Sequence, residues 1–233
     1  MKQNLKDLGV FLSSDLTFKF HVEKMVMAAS KLSGWGLRTF SRRNVGTMKA
    51  IWKLLVQPKL DYCSQFWSPS DQDSINRLES VQRHFLSCVI GDQVQNLDYW
   101  TKLKSLKLLS QERRRERYVI IFLWKMSQGL VSGYDMEYTS VYSRRGRTAL
   151  PRNVVHSSPA SVRRARESSV GVKGANLFNL IPNYIRNINS DNVDTFKANL
   201  DKFLETVPDQ PTIAGQGRAA DTNSLLHQIP LHL

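Results

Sequence analysis

The sequence predicts a mainly helical fold: a multi-helix bundle with a short N-terminal strand, a basic loop region and a C-terminal helical pair. Three observations predict it. Apolar residues recur at spacings of three and four in three separate stretches, the period of one face of a helix. Only one substantial apolar run bounded by turn-formers, Leu8 to Leu12, reads as a strand. Between residues 132 and 174 the helical period fades, and Ser, Pro, Gly and Arg dominate.

The elements follow in order. After the Leu8 to Leu12 strand, Ser14 or Asp15 can cap a first helix. Phe18, Val22, Met25, Ala29 and Leu32 form its apolar face, with Lys19, Glu23, Lys24 and Lys31 on the remaining surface. Arg42, Arg43 and Asn44 make a basic turn. A second helix runs from about Val45 towards Trp67 with Met48, Ile51, Trp52 and Leu55 inward, and Pro58 kinks it because proline has no N–H to donate. The third starts at Ser70 or Asp71 and buries Ile75, Leu78, Val81, Phe85 and Cys88 before Gly91 stops it.

A fourth helix covers Tyr99 to Leu109. Ser110 can cap a fifth, which opens with Gln111 and Glu112, continues through Arg113, Arg114, Arg115, Glu116 and Arg117, and ends near Gly129. Its apolar second half, Tyr118 to Trp124, should be buried on all sides. Short strands near Ser140 to Tyr142 and Ser169 to Val172 are expected inside the basic loop region. Helix resumes over Ala175 to Ile181, is interrupted by Pro182 and continues to about Asn187. Ser190 or Asp191 caps a last helix on which Val193, Phe196, Leu200 and Phe203 face inward. Beyond Pro208 the composition is polar and rich in Gly and Pro, which reads as disorder.

Charge points to the partner. Lys and Arg number 33 against 20 Asp and Glu, a net charge of +13, which favours a polyanion. Nucleic acid comes first and an anionic membrane surface second; a merely soluble basic protein is the third reading. The run Tyr118 to Trp124 is far shorter than the roughly 20 residues a membrane span needs, so neither a span nor a membrane partner is expected. Met1 to Lys6 is polar, without a signal-peptide pattern, and the expected location is intracellular. Cys63 and Cys88 lie far apart and the histidines are scattered, so buried free thiols are expected rather than a zinc site.

No enzyme site emerges. No segment fits a phosphate-cradling glycine loop, and no helix pairs histidines four apart. Asp71 with Asp73, and Asp191 with Asp194, read as helix-start carboxylates rather than metal ligands. No catalytic residue, no metal ligand, no cofactor and no small-molecule substrate are expected.

Two basic clusters carry the positive signal. The run Arg113, Arg114 and Arg115, with Arg117, stands in the first turns of a helix, where cations oppose the macrodipole by about 0.3–1 kcal/mol each. Successive residues turn by about 100°, so these side chains cannot all face one line of phosphates. Either one or two of them meet phosphate, or they pair locally with Glu112 or Glu116. The second cluster holds Arg144, Arg145, Arg147, Arg163 and Arg164. Glu167 is the one acid between Arg144 and Gly174, and Tyr138 and Tyr142 stand just ahead of the cluster. Such a segment suits backbone contact with occasional base stacking, or else is a basic linker.

Several stretches together resemble the region downstream of the palm in jockey-like, non-LTR retrotransposon reverse transcriptases, which are RNA-directed DNA polymerases. They are Lys6-Asp7-Leu8-Gly9-Val10 with Ser13-Ser14-Asp15-Leu16; Leu60-Asp61-Tyr62-Cys63-Ser64 with Trp67-Ser68-Pro69; and Leu78-Glu79-Ser80-Val81-Gln82-Arg83. Leu108-Leu109-Ser110-Gln111-Glu112-Arg113-Arg114-Arg115, Arg144-Arg145-Gly146, Phe178-Asn179-Leu180-Ile181-Pro182 and Phe196-Lys197-Ala198-Asn199-Leu200-Asp201 continue the series in the family's order. Gln65 stands where the family often has proline, and Phe178 where it often has tryptophan.

The resemblance implies an end-of-palm strand remnant at 1–13, a helical thumb-like domain at 14–131, the basic loop region at 132–174, C-terminal helices at 175–206 and a disordered tail at 207–233. It implies a module that holds template RNA and primer and works with an upstream palm region. The family's paired catalytic aspartates precede the first residue of this chain, so the two metal ions of such polymerases, Mg2+ in the parent enzyme, have no ligands here. RNA or an RNA–DNA hybrid is the expected partner, in the nucleus or cytoplasm. A helical protein-interaction module, a domesticated remnant of such an element, is the alternative.

Overall fold

The structure, a computed structural model, describes residues 4–14, 17–40, 44–90, 97–133, 136–151, 159–189, 192–211 and 223–229. It is mainly helical, with a two-stranded sheet near the N-terminus and helices near the C-terminus. The chain divides into two compact units, Met1–Glu112 with Asp209–Asp221 and Arg113–Pro208 with Thr222–Leu233. The division falls in the first turn of the fifth expected helix and not at residue 131, and the expected loop region and C-terminal helices belong to one unit.

The first unit opens with an antiparallel hairpin, β1 (Asn4–Asp7) and β2 (Val10–Ser13). Leu8 and Gly9, expected within a strand, are its two-residue turn, with φ of 43° and 87°. Positive φ at both central residues gives the backbone twist that a tight hairpin needs. The Tyr62 hydroxyl donates to the Leu8 carbonyl at 2.8 Å and so braces the strained turn.

Helix α1 (Lys19–Thr39) starts later than Ser14 or Asp15 would allow: its N-cap is Phe18, without a side-chain cap. Val22 and Ala29 are buried as the stripe predicts, while Phe18, Met25 and Leu32 pack against the core with part of their surface open. His21, scattered by sequence, joins three elements. Its Nδ1 accepts from the Phe11 N–H at 3.3 Å, its ring meets Trp67 edge to face at 4.6 Å, and burial lowers its pKa.

The single helix expected from Val45 to Trp67 is four pieces: α2 (Val45–Ile51), a π-helical turn (Trp52–Val56), α3 (Gln57–Asp61) and α4 (Ser64–Trp67). Asn44, expected in a basic turn, caps α2 by accepting from Gly46 and Thr47; Arg42 and Arg43 lie outside the described residues. The Gln57 N–H reaches back five residues to the Trp52 carbonyl, just ahead of Pro58. A π turn inserts one residue into the helical period. Five residues therefore separate the inward Ile51 and Val56, and Leu55, expected inward, is exposed instead. Cys63 takes a left-handed backbone (φ 55°) between α3 and α4 and is exposed, not buried.

Helix α5 (Gln72–Val89) begins at Asp71, whose Oδ1 accepts from the Ser74 N–H at 3.0 Å. Ile75, Leu78, Val81 and Phe85 are buried and Cys88 is half-buried; Gly91 lies outside the described residues. Phe85 packs on Trp52 with ring centroids 5.1 Å apart, at the heart of this unit's core. Helix α6 (Tyr99–Ser105) is shorter than expected, capped by Asp98 and ended by Lys107 in a left-handed conformation.

At the start of helix α7 (Gln111–Ser127) two carboxylates meet backbone N–H groups. Asp209 accepts from the Ser110 N–H and buried Glu79 from the Gln111 N–H, each at 2.7 Å. Glu79 also accepts from the Tyr99 hydroxyl at 2.6 Å. Burial first, and then Glu79, push the Tyr99 phenol well above its ordinary range.

In the second unit the latter half of α7 is enclosed: Val119, Ile120, Ile121, Leu123, Trp124 and Met126 are buried, with Phe122 partly open. Helix α8 (Ala160–Glu167), a π-helical turn (Val170–Gly174), α9 (Ala175–Asn179), α10 (Asn183–Arg186) and α11 (Val193–Thr206) follow. The expected strands at Ser140 to Tyr142 and Ser169 to Val172 are a turn and a helical segment; the bridge in this region pairs Tyr138 with Ala149. Pro182 separates α9 from α10 as expected. Asn192 caps α11, whereas Ser190 and Asp191 lie outside the described residues. Phe196 stacks on Trp124, 4.4 Å between centroids and 12° between planes.

The tail expected to be disordered contributes structure. Within the first unit Asp209 is buried against Ser110, and within the second Leu225 of α12 (Leu225–Gln228) is fully buried.

Candidate nucleic-acid interface

The arginines that open α7 divide by burial. Arg113 is fully buried: Nη2 donates to the carbonyls of Pro208 and Asn223, each at 3.0 Å, and to Gln228 Oε1 at 2.6 Å. Its Nε lies 3.9 Å from Glu116 Oε2. The local-pairing alternative describes Arg113, because an enclosed guanidinium has no open path to a phosphate.

Glu116 is buried too, and accepts from the Ser224 hydroxyl and, at 3.0 Å, from the Leu225 N–H. Burial raises the Glu116 carboxyl above its ordinary value, against the opposing pulls of Lys173, Ser224, Leu225 and Arg113. A carboxylate at the start of α12 satisfies the N–H groups that a helix leaves orphaned.

Arg117 is held by Asp201 of α11 through both carboxylate oxygens, with Nη2 to Oδ2 at 2.8 Å. Arg114 lies over the Tyr118 ring, 5.2 Å from its centroid, and donates to the Tyr118 hydroxyl at 2.8 Å. Arg114 and Arg117 are both half-buried, and Arg113 is enclosed.

The loop arginines are presented differently. Arg144 and Arg145 are exposed, and no described residue pairs with either guanidinium. Beneath them the backbone is closely tied. The Gly146 N–H donates to the Ser143 carbonyl at 2.9 Å, and the hydroxyls of Ser143, Thr139 and Thr148 converge on the Gly146 carbonyl at 2.6, 3.0 and 3.2 Å. Gly146 has φ 66°, and a Cβ there would stand 2.8 Å from Asn187 Nδ2, so this turn needs glycine.

Arg186 locks the arrangement from below. Its guanidinium donates to the carbonyls of Arg145 and Arg147 at 3.0 and 2.8 Å, to Thr148 Oγ1 at 3.1 Å, and to Asn183 Oδ1. It is buried, which lowers its pKa from the ordinary guanidinium value. Arg147 is half-buried: its N–H donates to Asn187 Oδ1 at 3.0 Å and its guanidinium to the Ser127 hydroxyl at 3.4 Å. A shallow open cleft lined by Thr139, Ser143, Arg144, Arg145, Thr148 and Leu150 lies beside the pair, and Tyr142 close by in the chain is 97% exposed.

Sequence reasoning nominated the exposed arginines and missed Arg186, the buried one that positions them. No local pattern marks it. Its position just after Pro182, in a segment read only as helix, is the nearest signal.

The third group sits on α8, not on a loop. Arg163 is 3.9 Å from Glu167, with both side chains about half exposed, an arrangement worth little to stability. Arg164 lies on the same helix. Along α7, Arg117 and Ser127 are ten residues apart, or ~15 Å at 1.5 Å per residue. The loop, anchored at Ser127, is thus set well apart along α7 from the arginines at the helix start. Within α7, Arg113 and Arg117 serve the fold.

Among the described residues no His, Cys, Asp and Glu cluster could hold a metal ion, and no helix is long and apolar enough to cross a membrane. Asp71 caps α5, Asp73 pairs with Arg77 at 2.9 Å and Asp194 with Lys197 at 3.0 Å. Arg144 and Arg145 are exposed hydrogen-bond donors of the kind that phosphate oxygens accept. Compared with known proteins, the chain matches no family model, no curated protein and no solved structure.

Proposed function

We propose that this chain is a nucleic-acid-binding, C-terminal portion of a non-LTR retrotransposon reverse transcriptase, which holds template RNA and primer and has no polymerase site of its own. One observation carries the reading: a loop tied by buried Arg186 holds Arg144 and Arg145, which pair with no described residue, in solvent next to exposed Tyr142. Burying an arginine to fix a loop has little use unless the loop's position matters to a ligand. The ordered series of motifs from Lys6 to Leu204 supplies the family. Contact through phosphates is sequence-tolerant, as copying many positions requires.

The test is a salt titration of binding to RNA and to an RNA–DNA hybrid. Phosphate contacts give a log–log slope of about 0.7 to 0.9 per contact. Binding that is absent at low salt, or flat with salt, sinks the proposal.

A second reading, docking to another protein, is favoured by exposed apolar residues of the first unit. Leu8 and Tyr62 touch through the hydrogen bond that braces the hairpin, and Phe66 meets Phe18 edge to face at 5.5 Å. Leu8, Tyr62 and Phe66 are 85%, 55% and 59% exposed. An upstream palm region is the partner the resemblance implies for such a surface.

A further inference from the structure

The solvent face of α1 carries a pattern that the loop and α7 do not explain. Phe20, Lys24, Met27, Lys31, Trp35 and Arg38 follow one another at spacings of four, three, four, four and three. At about 100° per residue they share an arc of about 80°, on the side away from buried Val22, Ala29 and Ser33. Lys24, Lys31 and Arg38 are exposed, and among the described residues none of the three pairs with a carboxylate.

Glu23, the one acid of α1, lies off this arc and reaches Arg77 at 3.5 Å. Between the cations stand open apolar groups: Met27 is 55% exposed and Trp35 47% exposed. Trp35 is braced edge-on by Phe40 at 6.4 Å, which steadies the ring and leaves it partly in solvent. The Arg38 guanidinium folds back over Gly34, where a Cβ would come within 3.1 Å of it, so this cation lies along the helix surface beside Trp35.

We infer that this face of α1 is a single-stranded nucleic-acid site, with Lys24, Lys31 and Arg38 on phosphates and Trp35 stacking against an unpaired base. The inference rests on the nucleic-acid reading above and names a separate site for it. Cations recur every seven residues, ~10.5 Å along the helix, and span ~21 Å from Lys24 to Arg38, a length matched to several nucleotides. An interleaved aromatic ring is the decisive feature. Bases inside a duplex are already stacked and offer no face, whereas single strands gain from an aromatic platform beside a charged track. An acidic helix of another protein, or an anionic membrane, would also meet the cations, but neither makes use of a braced, partly open indole set between them in this way.

The experiment uses the full chain and a labelled 20-nucleotide RNA, either single-stranded or annealed to DNA, at about 50 and 200 mM salt. Variants are Lys24→Gln/Lys31→Gln/Arg38→Gln, Trp35→Ala and, as a separate control, Arg144→Gln/Arg145→Gln, each checked for wild-type thermal melting. Trp35→Ala is expected to weaken single-strand binding roughly tenfold and to leave the hybrid nearly unchanged. The triple variant should flatten the salt slope on the single strand by about 0.7 per lost contact.

Acrylamide quenching supplies a second readout, because RNA should shield the Trp35 fluorescence of the wild type and shield nothing comparable in Trp35→Phe. If wild type binds RNA while both α1 variants bind as tightly as it does, this site is wrong and the wider reading stands. Equal losses on strand and hybrid also overturn it, as does a triple variant that loses only binding to anionic vesicles or to an acidic peptide. If wild type binds neither nucleic acid at 50 mM salt, both readings fall together.

Discussion

The guanidinium of Arg186 donates to the backbone carbonyl of Arg145 across 3.0 Å, so a buried arginine fixes the main chain beneath an exposed one. The same group also holds the Arg147 carbonyl at 2.8 Å. Removing it leaves four part-buried acceptors without this donor, and water can satisfy some of them in its place. Arg186→Ala is therefore expected to destabilise the protein by roughly 2–3 kcal/mol and to speed amide exchange across 139–149. Lysine at this position keeps the charge but not the planar fork, so Arg186→Lys should recover less than half of the loss. Unchanged exchange in the loop would show that its order comes from the hydroxyls around Gly146 alone.

Replacing Arg144 and Arg145 together by alanine should leave stability within about 0.5 kcal/mol, since exposed, unpaired side chains contribute little. Affinity for unrelated RNA sequences should fall by a similar factor, with a shallower salt dependence. Arg113→Ala is expected to behave in the opposite way. It should destabilise by about 3–5 kcal/mol, because it empties a fully buried site and leaves the Pro208 and Asn223 carbonyls and Gln228 without their donor. A folded, stable Arg113→Ala that has lost only RNA binding would reverse the assignment of that arginine to the fold.

Glu116 makes stability depend on pH in a particular direction. Burial holds its carboxyl above the ordinary 4.5, so the folded chain binds this proton more tightly than the unfolded chain does. The contribution is favourable below that value and is lost as pH rises through the elevated folded pKa. Denaturant midpoints measured upward from about pH 4.5 should show this loss in wild type and a flatter profile in Glu116→Gln. A wild-type midpoint that climbs over the same interval, with the glutamine variant flat, would mean that the contacts from Ser224 and Leu225 outweigh burial.

Phe85→Ala should cost roughly 3–5 kcal/mol, as expected for an aromatic lost from a filled core. Phe85 is 1% exposed and packs on Trp52, which is itself fully buried. A loss below about 1 kcal/mol in chemical denaturation would mean that this core is far looser than its packing implies.

The chain alone is expected to incorporate no nucleotide on any primed template with Mg2+ or Mn2+. Asp71, Asp73 and Asp194 are engaged as a cap and two ion pairs, which leaves none of the three poised beside another to share a metal. Incorporation that co-purifies with the chain through several steps would overturn this.

Periodicity reads a helix well where one face is apolar over many turns, as in α5; on α11 it finds Phe196 and Leu200, but Leu204 is buried where Phe203 is expected, and Phe203 and Val193 are half-buried. It failed at Trp52–Val56, because a π turn changes the phase without changing composition, and Leu55 and Val56 look alike as letters. The hairpin was half legible: Leu8-Gly9 can be strand or turn until Tyr62, 54 residues away, bonds the Leu8 carbonyl. Charge was legible only as a sum. Arg113 and Arg144 are the same residue in equally basic runs, yet one is enclosed and the other open. What separates them is the company supplied by Pro208, Asn223 and Gln228, all remote in the chain.

That remoteness has a consequence for biosynthesis. The partners of Arg113 lie 95, 110 and 115 residues downstream, and those of Glu116 lie 108 and 109 residues downstream. At about 5–20 residues per second, a ribosome needs roughly 5–20 s to deliver them after α7 emerges. Throughout that interval the nascent helix start offers bare guanidinium and carboxylate groups beside apolar surface that has nothing to cover it. The second unit thus cannot close until the residues through Gln228 have been made, and a transcript truncated before the codon for Asn223 would yield a chain whose central helix never acquires its seal.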